Sequence, residues 1–273
     1  MGQKEVIEST PVLRTRESLA NDLRKLGLFE GMTVIVHSSL SAIGWVCGGP
    51  VAVIQALMDV VMPKGTIVMP AHSGEYSDPC YWGNPPVPEV WWQIIRDTMP
   101  AFDPKHTPSS FMGTIAETFR SFEGVVRSSH PAVSFSAWGR DSEFITQNHS
   151  LDYSLGEKSP LARIYDLDGW VLLLGVDYGS NTSFHLSEYR VPDIKPVKAG
   201  APIIEDGKRV WKSYEDIEFE TELFIDIGKD FEKEKGVMKG FVGSAESRLF
   251  RQRLGVDYAK EWILRKNMEV SND

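Results

Sequence analysis

Residues 33–49 read TVIVHSSLSAIGWVCGG, and Pro50 follows. Residues 33–36 are a short β-rich run with no polar alternation, the pattern of a strand buried on both faces. His37 to Gly49 is a loop of small and polar residues, and Pro50 stands where a first helical residue would. Beyond it Ile54, Leu57, Met58 and Val61 fall on one helical face. Strand, ligand-sized loop and helix in this order open an α/β fold. Small residues let a ligand approach the backbone, and free N–H groups and serine hydroxyls can hold an anion or a carbonyl oxygen. No Gly-Lys-Ser/Thr follows, and the glycine spacing is not that of a dinucleotide fingerprint. The loop also reads as a merely structural turn.

Working outward, Thr15 is placed to cap a helix with the apolar stripe Leu19, Leu23 and Leu26, and Gly27 to end it. After Pro63, Lys64 and Gly65, residues 66–69 (TIVM) predict a second strand. Residues 71–88 are irregular and long for a connection, the kind of loop that is functional or disordered. Its aromatic residues Tyr76, Tyr81 and Trp82 argue against disorder. A short helix is expected from about Pro88, carrying Trp91, Ile94 and Ile95 inward, and another carrying Met112, Ile115, Ala116 and Phe119. Residues 132–137 are strand-like, Ser159 and Pro160 open a helix, and residues 170–176 (WVLLLGV) predict a fully buried strand. Glu205, Asp206 and Gly207 between two strand-like runs signal a hairpin. Two helices are expected after it, one following Ser244 and one over about 256–266. The fold class is therefore α/β, a mixed central sheet flanked by helices, with a small antiparallel C-terminal appendage. No linker divides it, so residues 1–273 read as one domain.

The 273 residues carry a formal charge of −9 and two cysteines, Cys47 and Cys80. The acidic balance disfavours nucleic acid and suits either solubility or a cationic ligand. So few cysteines point to a cytoplasmic setting. No apolar stretch is long enough for a bilayer, and the opening MGQKEVIEST lacks the apolar core of a secretory signal.

Two segments add chemistry. Residues 181–189 (NTSFHLSEY) follow the buried strand, at the strand end where open α/β sheets gather ligands. A helix here sets His185 and Glu188 three apart on one face, with Asn181 on the same side. A carboxylate that orients an imidazole makes a general base; a surface ion pair is the plainer reading. In residues 127–135 (RSSHPAVSF), His130 precedes a proline and enters a strand, either as a catalytic or ligand-orienting group or as a hydrogen-bonded structural one. His37, His72 and His106 say less. Without HExxH or closely spaced Cys/His pairs, a metal is not expected. Cys47 near a helix start could carry an acyl group, although a small buried apolar residue is the simpler reading.

Taken in order, the helix start at Thr15, Arg16 and Leu19, VHSSLSAIGWVCGG, TPSSFMGTIAE, SSHPAVSFSAWG, LDYSLGEKSPLARIYDLDGWVLLLGV and NTSFHLSEY resemble the aminoglycoside 3-N-acetyltransferase family, over nearly the whole chain from Thr15 to Leu254. The resemblance implies acetyl-CoA as cosubstrate, a small-molecule amine as acceptor, no metal, and a fold unlike that of the GNAT acetyltransferases. By matching position, His37, Ser38, Ser39, Leu40, Ser41 and Gly44 would hold the CoA pantetheine and pyrophosphate. Ser109, Ser110 and Met112 would line the same channel. His185 and Glu188 would be catalytic, with His130 close by; which histidine is the base stays open. Glu75, Tyr76 and Asp177 are expected on the acceptor side. A different amine acceptor, or a non-catalytic acyl-CoA-binding protein, are the alternatives. Neither nucleic acid nor membrane is expected as a partner, and the hairpin near Gly207 offers a surface for a homodimer.

Overall fold

The strand expected at residues 33–36 is the middle of the molecule. The computed structural model describes residues 2–192 and 194–270. Its strands are β1 (Thr33–Ser38), β2 (Thr66–Pro70), β3 (Val126–Arg127), β4 (Phe135–Gly139), β5 (Trp170–Leu174), β6 (Pro196–Glu205), β7 (Lys208–Ile217), β8 (Met238–Val242) and β9 (Ala245–Arg251). Seven form one sheet in the order β3-β4-β2-β1-β5-β9-β8. β2, β1 and β5 run parallel, and antiparallel strands complete both sides. The sheet is mixed, as expected.

Alternation along the central strands splits the core in two. Val34 and Val36 of β1, with Leu172 and Leu174 of β5, face the helices Arg16–Leu26, Gly49–Val61 and Gly113–Arg120. Ile35, Val171 and Leu173 face the helices Pro160–Asp166, Phe224–Glu234 and Gln252–Val270. Burial on both faces is why these strands read as continuous apolar runs. The first of the helices starts and stops as its sequence demands. Thr15 accepts from the Ser18 backbone N–H, Ser18 Oγ accepts from that of Thr15 at 2.9 Å, and Gly27 ends the helix at φ 117°. The hairpin of β6 and β7 turns through Asp206 and Gly207 at φ 51° and 73°, the left-handed pair that a two-residue turn needs.

Two expectations fail. Residues 245–251 form strand β9, not a helix. Ala245, Ser247 and Leu249 are buried while Glu246 is exposed, so the period is two, and Gly243 at φ 62° makes the turn from β8. The helix Trp92–Thr98 does not point Trp91 and Ile94 inward; they are 53% and 59% exposed. That helix lies outside the sheet layers. It is held to the 71–88 loop by the Arg96–Asp78 ion pair at 2.7 Å, and its end accepts from Arg209 at the Met99 carbonyl, 3.0 Å. No helix among the described residues is long and apolar enough to cross a membrane.

Candidate active site

The parallel strands β2, β1 and β5 end at the same sheet edge, and each delivers a histidine there. His37 lies in β1, His72 just beyond β2, and His185 after the loop that follows β5. All three line one cavity of about 980 Å³. Its other walls come from the first loop (Ser38, Ser39, Leu40, Ser41, Gly44, Trp45), from Met112, Gly113 and Thr114, and from Ser180 and Thr182.

His185 opens a one-turn helix, His185–Glu188, preceded by the 3-10 turn Thr182–Phe184. Its ring packs against Phe219 and Phe224, with centroids 4.5 and 4.8 Å away. Nδ1 lies 2.6 Å from Glu188 Oε2, and both side chains are about nine-tenths buried. The other carboxylate oxygen, Oε1, accepts from the Glu220 backbone N–H at 2.8 Å. With Nδ1–H donated to the carboxylate, the lone pair sits on Nε2, which has no protein partner among the described residues. This is the geometry of an oriented base.

Two helix N-termini reach the cavity. Gly48 and Gly49 begin the helix Gly49–Val61, and Gly113 begins Gly113–Arg120. Neither helix carries an acidic residue in its first turn, so no carboxylate competes for the positive helix end. An anion such as a pyrophosphate suits this wall. Gly175, at φ 71°, lets β5 turn beneath the first loop: a Cβ there would meet Ala42 Cβ at 2.6 Å. His37 and His72 are held neutral. Burial, then the neighbouring His185, pushes each down to about 3.

The remaining sequence candidates lie elsewhere. His130 is 1% exposed and does not line the cavity. Its Nδ1 accepts from the Val133 N–H at 3.1 Å and its Nε2 faces the Leu151 carbonyl at 3.3 Å, so neither nitrogen is left for a substrate. It stacks near His149, centroids 5.0 Å apart, which is bonded to Ser128 and to the Ser154 carbonyl. This corrects its expected place beside the base: both rings tie the 128–154 segment together. Ser109 donates to Glu117 from its N–H and hydroxyl, and Ser110 donates its N–H to the His72 carbonyl and accepts from Gly74. They shape the wall from behind rather than line it. Asp177 caps the turn at Gly179 and borders a separate small cavity with Glu232 and Arg248. Tyr76 packs on Phe102, and neither it nor Glu75 reaches the main cavity. Cys47 is exposed rather than buried, and it does not line the cavity between its neighbours Val46 and Gly48.

Sequence reasoning passed over four kinds of lining. The helix Gln3–Ser9 contributes Gln3 and Val6, and the chain leaving β7 contributes Thr221. Phe111 stands at the rim, 93% exposed and held at φ 60°. His72 also lines the cavity. Only the last left a signal, by following a strand end as His37 does. Among the described residues no group of three or more His, Cys, Asp or Glu is arranged to hold a metal ion.

Comparison with known proteins matches this frame. A family model described as aminoglycoside 3-N-acetyltransferase fits residues 35–264, most of the chain. The chain belongs to that family. The acetyltransferase is 55% identical over 262 residues to the SPbeta prophage-derived aminoglycoside N(3')-acetyltransferase-like protein YokD of Bacillus subtilis (strain 168), covering 96% of each. It is 37% identical to aminoglycoside N(3)-acetyltransferase VII of Streptomyces paromomycinus, over 94% of this chain and 93% of that one. The YokD crystal structure superposes with a TM-score of 0.96 at 54% identity, over 97% of this chain and 98% of that one. A structure of AAC-IIIb binary with CoASH does so with a TM-score of 0.84 at 29% identity, over 93% and 98%. The family is one of acetyltransferases, and the chain shares its fold with these structures.

Proposed function

We propose that this acetyltransferase moves acetyl from acetyl-CoA to the 3-amino group of the 2-deoxystreptamine ring of an aminoglycoside, by direct transfer with His185 as general base. The observation that carries the reading is the 2.6 Å contact between His185 Nδ1 and Glu188 Oε2 at the cavity wall. The first loop, His37 to Ser41 with Gly44, and Met112 would bind the donor, the helix starts at Gly49 and Gly113 facing its phosphates. Acetyl-CoA, when bound, supplies the activated acyl group.

The acceptor enters as the free-base amine; His185 Nε2 takes the proton that its nitrogen gives up on attack, and Glu188 stabilises the imidazolium that forms. The nitrogen lone pair forms the N–C bond at the acetyl carbonyl, while first-loop N–H groups bear the developing oxyanion. The C–S bond then breaks, and the proton held on His185 goes to the departing thiolate. Cys47 is exposed and does not itself line the cavity, which supports direct transfer over an acyl-enzyme on that thiol.

One observation favours a second reading, the same chemistry on a less highly charged amine. The lining residues include no Asp or Glu, so the cavity wall itself offers a polycation no carboxylate. The test is CoA-thiol release from acetyl-CoA with gentamicin, tobramycin or kanamycin, then a wider amine panel. Fast release with an aminoglycoside supports the first reading. Release only with another amine moves the assignment to the second, and acetyl-CoA binding with no release from any amine overturns both.

A further inference from the structure

Asp216, in β7, is a buried carboxylate whose hydrogen bonds among the described residues all come from neutral donors. It is 7% exposed, and its Oδ1 accepts from the Tyr189 hydroxyl at 2.5 Å, from the Ile217 N–H at 3.0 Å and from the Ser154 N–H at 3.3 Å. Burial pushes its carboxyl up. Desolvating a carboxylate beside neutral donors alone costs stability, which points to a geometric role. What it fixes is Tyr189, the residue after Glu188. The Tyr189 hydroxyl also accepts from the Leu155 N–H at 3.3 Å. Gly156 makes room for the ring, since a Cβ there would meet Tyr189 Cδ1 at 3.0 Å.

The helix that Tyr189 ends cannot hold itself. His185–Glu188 is a single turn, and its start at Phe184 has no side-chain cap. One turn fixes more backbone than its hydrogen bonds offset, so its position is set by what packs on it. The chain from the end of β7 onward touches this turn and Tyr189 at three points. Asp216 takes the Tyr189 hydroxyl. Phe219 packs on the His185 ring, centroids 4.5 Å apart, and on the Tyr189 ring at 6.3 Å. The Glu220 N–H reaches Glu188 Oε1 at 2.8 Å. Neither Tyr189 nor Asp216 lines the main cavity, so neither touches a ligand held there. We propose that Tyr189 and Asp216 are positioning residues for the base: their hydrogen bond holds the end of the His185–Glu188 turn against the chain leaving β7 and so keeps Glu188 on His185 Nδ1. The inference rests on the acetyltransferase reading above, in which His185 is the base.

The experiment compares wild type, Tyr189→Phe, Asp216→Asn and Asp216→Ala by two readouts. One is the far-downfield imidazole N–H proton resonance, assigned to His185 Nδ1–H by its loss in Glu188→Ala. The other is kcat for CoA release from acetyl-CoA with tobramycin. Tyr189→Phe and Asp216→Ala should shift or broaden the resonance and lower kcat about tenfold at unchanged acetyl-CoA Kd, since a misplacement of about 1 Å at a catalytic group costs up to about a hundredfold. Asp216→Asn keeps Oδ1, the oxygen that takes all three donors, and should hold the resonance in place and kcat within about twofold of wild type. Placed in Glu188→Ala, Tyr189→Phe should lower kcat by less than about twofold, because the contact that it protects is already gone. A merely structural role would lower kcat by the same factor in both backgrounds or leave it untouched in both, and either result overturns the proposal. An unmoved resonance in Tyr189→Phe, or Asp216→Asn as impaired as Asp216→Ala, overturns it too. Tyr189→Phe removes one oxygen and decides the matter even where Asp216→Ala does not fold. If wild type releases no CoA with tobramycin, the aminoglycoside reading falls, and the resonance alone decides whether Tyr189 and Asp216 set the contact.

Discussion

Glu188 holds His185 with one carboxylate oxygen, at 2.6 Å, and is itself held through the other by the backbone of Glu220. The imidazole is therefore fixed at one nitrogen and free at the other. His185→Ala is expected to lower kcat on the order of a hundredfold or more, with acetyl-CoA affinity kept. Glu188→Gln, which keeps the shape and loses the charge, should lower kcat in the same direction by a smaller factor. Steady-state kinetics with calorimetric Kd values for acetyl-CoA check both; near-normal kcat in both variants would remove the base.

Cys47→Ala should leave turnover close to wild type, and intact-protein mass spectrometry after mixing with acetyl-CoA should find no acetyl adduct on the parent. A trapped adduct at Cys47, with turnover lost in the variant, would replace direct transfer by a two-step route.

His130→Ala strands the Val133 N–H and the Leu151 carbonyl. The expected cost is about 1–3 kcal/mol of stability, read from urea unfolding. The kcat per folded molecule should stay within about twofold. A large drop in kcat at unchanged stability would return His130 to the chemistry.

Burial pushes His149 down to about 4, against the opposing hydrogen bond to Ser154, while an unperturbed histidine titrates near 6.5. Between those values the unfolded chain binds a proton that the folded chain refuses. Stability from this residue is thus full above about pH 6.5 and falls as pH drops toward 4, by up to about 1.4 kcal/mol per unit. His130, also lowered, adds in the same direction. Urea midpoints at pH 7, 6 and 5 should decline, and His149→Gln should flatten the decline; an unaltered slope would contradict the assignment.

Gly175→Ala should destabilise the fold by about 1–3 kcal/mol, because the added carbon overlaps Ala42 and the backbone is left-handed there. Relief of the overlap displaces the first loop, so the acetyl-CoA KM should rise. An unchanged KM would mean that the loop does not touch the donor.

Local signals in the sequence led to much of this. The cap at Thr15, the runs TVIV and WVLLL, the turn at Asp206 and Gly207, and the three-residue spacing of His185 and Glu188 are each decided by neighbours in the chain. What the sequence did not reveal is decided by distant ones. Residues 245–251 are a strand because β5 and β8 flank them. Trp91 and Ile94 face outward because their helix packs on a loop rather than on the sheet. His130 has the residue type of a base, but Val133 and Leu151 claim its nitrogens. His72 lines the cavity because β2 ends beside β1, a fact of topology rather than of spacing.

The groups that hold His185 in place come from segments that follow it in the chain. Glu220 lies beyond the hairpin, and Gln252, after the last strand, donates to Ser183 Oγ just ahead of His185. A nascent chain released before residue 252 would carry every side chain proposed here for proton transfer and for donor binding, but not the assembled site. Activity is thus expected only once β9 and the helix Gln252–Val270 after it have emerged, so turnover would report on the docking of that helix.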